Sequence, residues 1–305
     1  MSALVAAVAW MVLGGPRIVL DRVVATQRDV GGKTRLFRRI SGTHEEFLFQ
    51  RPHGVAWDGA DLIVTDPAAH RVVRLGASGL SVSREGAVED PVGVAVCRAG
   101  IVVTDARLGA VAVLDGELRR TRWLAEGLER PTGVACSGDE IFVVETAAHR
   151  VLVFDAAGTR KRSIGARGDG AGEFNYPTAI AIEGHSIVVG DTLNFRIQRI
   201  DAETGSAIDS FGRLGDAAGE MPRIKGIAVD SGQRVWISDA HLDAVAIYSI
   251  DGRFLGEFGH SGSAPGELSF PAGVAVSADG RIAVADSFNR RVQLFRLVAP
   301  GGGAP

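Results

Sequence analysis

The stretch Pro271-Ala272-Gly273-Val274-Ala275, followed by Asp286 and then by Arg291-Val292-Gln293-Leu294-Phe295, holds the pattern on which the chain is built. Its first part returns as Pro52-His53-Gly54-Val55-Ala56, Pro91-Val92-Gly93-Val94-Ala95, Pro131-Thr132-Gly133-Val134-Ala135, Pro177-Thr178-Ala179-Ile180-Ala181 and Ile224-Lys225-Gly226-Ile227-Ala228. After each copy a short polar turn leads to a second apolar run that ends on an acid: Asp66, Asp105, Glu145, Asp191, Asp239 or Asp286. Arginine stands five residues beyond the acid in four copies, as Arg71, Arg150, Arg196 and Arg291, and is replaced by Ala110 and Ala244 in the other two. The copies are spaced by about 40 residues early and about 45 to 49 later.

A period of that length, made of runs of strand length, is the signature of a propeller blade. Asp58-Gly59, Asp115-Gly116, Asp251-Gly252 and Asp279-Gly280 supply the left-handed backbone that tight hairpins need. The sequence therefore predicts an all-β, six-bladed β-propeller with four-stranded antiparallel blades. The sixth copy runs out of chain before its outer strand. An N-terminal strand is expected to complete it and to remove the open sheet edge, and Thr34–Ile40 has the composition for that place. The expected organisation is an apolar segment over residues 1–16, a propeller over 17–297 and a short tail over 298–305.

These repeats resemble the NHL repeat family over about residues 33 to 297, through the Gly-rich connections, the Pro-x-Gly-Val-Ala strand, the terminal acid and the Asn/His/Arg group after it. Asn194 and Asn289 match the family's asparagine, whereas Ala69 and Ala148 depart from it; His70 and His149 stand at its histidine position. The opening Gly-Pro-Arg-Ile-Val-Leu also resembles exported bacterial six-bladed propellers. The resemblance implies a binding or assembly module, and some related propellers are metal-dependent lyases or lactonases.

Composition narrows the function further. Hydrophobic residues make up 46% and charged residues 23%, with a net charge of −3. That balance argues against a nucleic-acid partner, which calls for a basic surface. The apolar run from Ala3 to Gly15 is short for a membrane span and fits the core of an export signal or an N-terminal anchor, so an exported, periplasmic or membrane-associated monomer is expected. Cys97 and Cys136 read by default as two buried thiols; a disulfide between them would suit an oxidising compartment.

In this strand order the loops before the first strand and after the second share one face. His44, His53, His70, His149, His241 and His260 fall there, and His185 falls on the other. The repeated acids and arginines read as structural braces, as do His70 and His149. The residue after each proline rings the mouth of the axial channel, and there His53 and Lys225 are side chains that no scaffold requires. With Arg223, Thr132, Thr178 and an inward-reaching Glu145 they form a candidate ligand pocket, suited to an anion through charge-assisted hydrogen bonds. No nucleophile elbow, phosphate loop or metal motif occurs in the sequence, and the reading calls for no cofactor, catalytic residue or metal ligand. The function expected is a non-catalytic scaffold that presents loops to a protein partner or extended ligand. The alternative is a metal-dependent lyase or lactonase-type hydrolase working in the channel.

Overall fold

The computed structural model describes residues 17–26, 29–30, 47–77 and 79–298. It is a six-bladed propeller, each blade a four-stranded antiparallel sheet. The innermost strands are Val55–Asp58, Pro91–Cys97, Pro131–Ser137, Pro177–Glu183, Ile224–Val229 and Pro271–Val276. The second strands, Asp61–Asp66, Gly100–Asp105, Glu140–Glu145, Ser186–Asp191, Arg234–Asp239 and Arg281–Asp286, end on the six repeated acids. These second strands are the most buried, with Ile63, Val64, Val102, Val103, Phe142, Val143, Val188 and Val189 fully covered. Burial on both faces explains their unbroken apolar runs.

The core is divided among the blades. Each of six hydrophobic clusters joins two neighbours, as where Ile18, Leu20 and Phe295 of the last blade pack with Trp236 and Phe258 of the fifth. The first strands sit so close to the axis that side-chain volume becomes the limit. A Cβ on Gly93 would stand 2.1 Å from the Thr132 carbonyl oxygen, and one on Gly273 would stand 2.4 Å from that of His53. Blade 4 inverts the arrangement, carrying Ala179 on its first strand against Gly190 on its second.

Arg17–Val24 closes the ring. It pairs antiparallel with Arg291–Val298, from Arg17 against Val298 to Val24 against Val292, with an irregularity between Leu20 and Arg22. The N-terminal clasp is thus as expected, but a different segment makes it: Thr34–Ile40 lies outside the described residues. Ile18, Leu20 and Val24 are buried and Arg17, Asp21 and Arg22 exposed, the alternation a one-sided outer strand requires. The last strand runs to Val298, one residue into the stretch expected as tail.

Cys97 and Cys136 end the first strands of blades 2 and 3, and their sulfurs are bonded, with Cα atoms 5.8 Å apart. The expectation of two free thiols is overturned, because both residues lie at the same height on adjacent first strands. The bridge closes a loop of 39 residues, which by chain entropy is worth about 3 to 4 kcal/mol. Intact mass under non-reducing conditions is expected to be lighter than for the reduced chain by the two hydrogen atoms that the bond displaces. Cys136→Ser should lower the unfolding free energy by an amount approaching that figure in a urea titration.

Candidate binding site at the mouth of the axial channel

Two faces follow from the strand order. The upper face carries the connections into each first strand and the loops between second and third strands; the lower face carries the other turns. The repeated acids hold the upper loops in place. Asp66 accepts the backbone N–H groups of Gln50 and Arg51 at 2.9 and 2.8 Å, and Asp286 accepts that of Ser269 at 2.7 Å. Each such bond ties the segment before a first strand to the end of the second strand in the same blade.

Where the arginine is present it completes the brace. Arg150 Nε lies 2.6 Å from Glu145, Arg196 Nε 2.8 Å from Asp191 and Arg291 Nε 2.6 Å from Asp286, while Arg71 stands off Asp66 at 3.9 Å. Asn194 and Asn289 donate to the same carboxylates, as do Gln198 and Gln293. In the two blades without arginine the acid turns to its own following loop. Asp105 accepts the N–H of Leu108, and Asp239 those of His241 and Leu242. The bracing role read from the sequence therefore holds in all six blades. Glu145 is corrected by it: its carboxylate is buried and occupied by Arg150 and the Glu129 N–H, and it does not reach the channel.

A second set of contacts was not read from the sequence. Every blade carries one hydroxyl beside its acid: Thr65, Thr104 and Ser238 just before it, or Thr146, Thr192 and Ser287 just after it. Thr65 donates to the Val92 carbonyl at 2.8 Å and Thr146 to that of Pro177 at 2.7 Å. Thr104, Ser238 and Ser287 reach Thr132, Ala272 and Pro52 in the same way. Blade 4 uses a relay, in which Thr192 meets the Thr178 hydroxyl at 2.6 Å and Thr178 points on to the Ile224 carbonyl. Satisfying these buried acceptors welds each blade to the next.

Inside that ring lies a cavity of about 70 Å³, lined by His53, Val92, Thr132, Thr178 and Lys225 together with the Gly/Ala-Val/Ile pairs behind them. It has room for a few waters, far below the volume that encloses a drug-sized ligand. Four of the residues read as a candidate pocket thus meet at the channel mouth. The hydroxyls of Thr132 and Thr178 are engaged in the interblade contacts, Thr132 donating to the Thr178 carbonyl at 2.9 Å. His53 Nδ1 lies 3.3 Å from the Val92 carbonyl. Burial, and then the Lys225 charge, push the His53 imidazole down to about 4. Burial and the charges of Arg223 and Arg130 hold Lys225 below the usual lysine range.

Arg223 stands one position further out, on the rim. Its guanidinium lies 5.0 Å from the centre of the Phe270 ring, and Lys225 Nζ lies 5.5 Å from the same ring. Phe270 stacks on Phe288 at 4.5 Å with the planes 7° apart, and Arg51 lies over Phe288 at 5.2 Å. The sequence reading missed Arg130, Phe270 and Phe288. The first two occupy the position just before the repeated proline, a signal that was present but went unused.

The histidines do not converge. His149 Nδ1 accepts the Tyr176 N–H at 3.2 Å and its ring lies 4.4 Å from that of Tyr176 in the next blade. His70 contacts the Glu89 carbonyl of the next blade, so both pack between blades as expected. His241 and His260 face Asp216 and Glu267 separately, and His44 lies outside the described residues. Among the described residues no three His, Cys, Asp or Glu side chains are grouped so as to hold a metal ion.

Residues 127–211 match the family described as 6-bladed beta-propeller, and residues 268–295 match the NHL repeat. The chain is a six-bladed β-propeller that carries an NHL repeat. Among solved structures it is similar to a gluconolactonase from Xanthomonas campestris, at 17% identity and a TM-score of 0.65 over 93% of this chain and 91% of that one. It is also similar to virginiamycin B lyase from Staphylococcus aureus, at 13% identity and a TM-score of 0.59 over 82% and 96%. A chain of a nidogen/laminin complex matches at 13% identity and a TM-score of 0.61 over 89% and 95%. At such identities the likeness is one of fold, which hosts catalysts and binding modules alike.

Two outcomes are expected of this propeller. Asp286→Asn should cost about 3 to 5 kcal/mol in a denaturant titration, because it leaves the buried Arg291 without its counter-charge. His53 is neutral when folded and protonated below about 6.5 when unfolded, so the unfolded state binds the extra proton between pH 6.5 and about 4. Stability should fall as pH drops through that window, and the fall should be shallower in His53→Gln; parallel curves for the two proteins would contradict the assignment.

Proposed function

We propose that this propeller is a non-catalytic scaffold whose upper face holds a protein partner or an extended ligand. The distribution of exposed apolar side chains carries the reading. Phe47, Leu108, Tyr176, Leu193, Leu214 and Phe288 all stand in upper-face segments, Leu214 59% and Phe47 54% exposed, while the other exposed large hydrophobics among the described residues, Val82, Val96, Ile208 and Phe254, lie within strands. Apolar groups gathered on one face and rimmed by charge mark an interaction surface. Rigid upper loops held by the acid braces provide it without a reactive residue.

The disulfide fits an oxidising compartment, in line with an exported or periplasmic protein. Among the described residues no helix is long and apolar enough to cross a membrane. The second reading, a metal-dependent lyase or lactonase-type hydrolase, draws on the likeness to a gluconolactonase and a virginiamycin B lyase. Among the described residues His53 is the histidine that lines the channel, whereas a catalytic zinc takes three protein ligands, so the donors described there do not fit that group.

A capture experiment from the native secretion compartment, with three baits, tests the scaffold. The same partner should bind the wild type and the lower-face variant Asp139→Arg, and be lost with Phe288→Asp at unchanged melting temperature. Saturable, metal-dependent hydrolysis of a lactone panel that disappears in His53→Ala would overturn the proposal.

A further inference from the structure

The rim where blades 3, 5 and 6 meet the channel gathers positive charge. Lys225 projects into the cavity, and Arg223 and Arg130 are close enough to oppose its charge. No carboxylate among the described residues pairs with Lys225 or Arg223; each has the face of Phe270 as its neighbour instead. A cation over a ring recovers about 0.5 to 2 kcal/mol, which leaves the mutual repulsion and the partial burial of Lys225 unrelieved. Asp90, on the far side of the mouth, lies toward Arg130 and His70 and not toward Lys225. Half-buried arginines away from the mouth are paired, Arg74 with Asp58 and Asp61, Arg162 with Glu140, Arg199 with Asp209 and Arg234 with Asp230.

We propose that Lys225 and Arg223 form a carboxylate-binding site at the channel mouth, and that the carboxylate belongs to an extended acidic segment of a polypeptide lying over the stacked Phe270 and Phe288 rings. This deepens the scaffold reading and rests on it. Size decides the form of the ligand. A cavity of about 70 Å³ accepts a carboxylate head with a water or two and excludes the body of an organic acid. The body therefore lies outside, where the edges of the stacked Phe270 and Phe288 rings form an apolar ridge between Arg223 and Arg51. Thr132 and Thr178 add shape and no free hydroxyl proton, since both donate within the ring. The recognition is of charge and reach: a lysine point charge at the bottom, a planar guanidinium at the edge and the aromatic edges beyond.

Lysine occurs only at positions 33, 161 and 225, which makes the site directly observable. Reductive methylation with ¹³C-formaldehyde keeps each lysine charged and gives Lys225 its own methyl resonance, assigned with Lys225→Arg. Lys161, 3.7 Å from Asp155, is the internal reference. The intact protein is titrated with octaglutamate and, separately, with sodium acetate at constant ionic strength. The Lys225 resonance is expected to shift saturably with octaglutamate, at least tenfold more tightly than with acetate, while Lys161 stays put. Arg223→Gln should weaken the octaglutamate titration fivefold or more at unchanged melting temperature. A Lys225 resonance that moves no more than that of Lys161 would overturn the anion site. Equal affinity for acetate and octaglutamate would overturn the polypeptide source and leave a free small carboxylate as the ligand. The readout sits on Lys225 itself, so a failure to capture a partner through Phe288 is a separate result.

Discussion

The structure depends on how closely six innermost strands approach a common axis. At Gly93 and Gly273 a single added carbon would collide with a carbonyl of the adjoining blade, and that clearance fixes the width of the channel and the angle at which the blades fan out. Backbone groups packed so tightly cannot be left to solvent, so each blade supplies one hydroxyl to the next. The hydroxyl sits before the acid in some blades and after it in others. Either place works, because the two positions flank the end of the same strand and both face the neighbouring carbonyls.

The acids solve a different problem. Six loops must be held on the upper face, and a buried carboxylate that accepts their backbone N–H groups does this wherever it finds enough donors. Arginine, asparagine and glutamine complete the set for Asp286, while the N–H groups of the following loop do so for Asp239. Loss of the arginine in blades 2 and 5 is thereby compensated locally. Residues beside the repeated proline inherit fixed positions from this frame and are free to vary in chemistry. His53, Lys225 and Arg223 are such residues, placed by the repeat without being required by it.

Much of this was legible in the sequence because the repeat carries it. Blade number, strand order, the acid braces and the ring of His53, Thr132, Thr178 and Lys225 all follow from position within a period. What escaped depended on contacts between periods or on choices between equivalent segments. Arg17–Val24 and Thr34–Ile40 share an apolar, arginine-bearing composition, and only pairing with Arg291–Val298 distinguishes the one that closes the ring. The Cys97–Cys136 bond needed the knowledge that two first-strand ends stand at equal height. Glu145 differs from the other acids by one methylene and was read as reaching inward; the Arg150 beside it takes up that length. The Phe270–Phe288 stack joins residues from a leading loop and a following loop of one blade, and no periodicity announces such a pair.

The closing strand also sets how the molecule carries mechanical load. Arg17 and Val298 are register partners, so the two ends of the propeller lie side by side on its outer rim. Force applied between them peels the last sheet open one hydrogen bond after another, as a zipper parts, and does not shear all its bonds together. Force applied through one end and the upper face instead loads whole blades, whose strands run between the faces and are linked to their neighbours around the ring by the hydroxyl contacts. The propeller is thus strong between its faces and weak where its two ends are pulled apart.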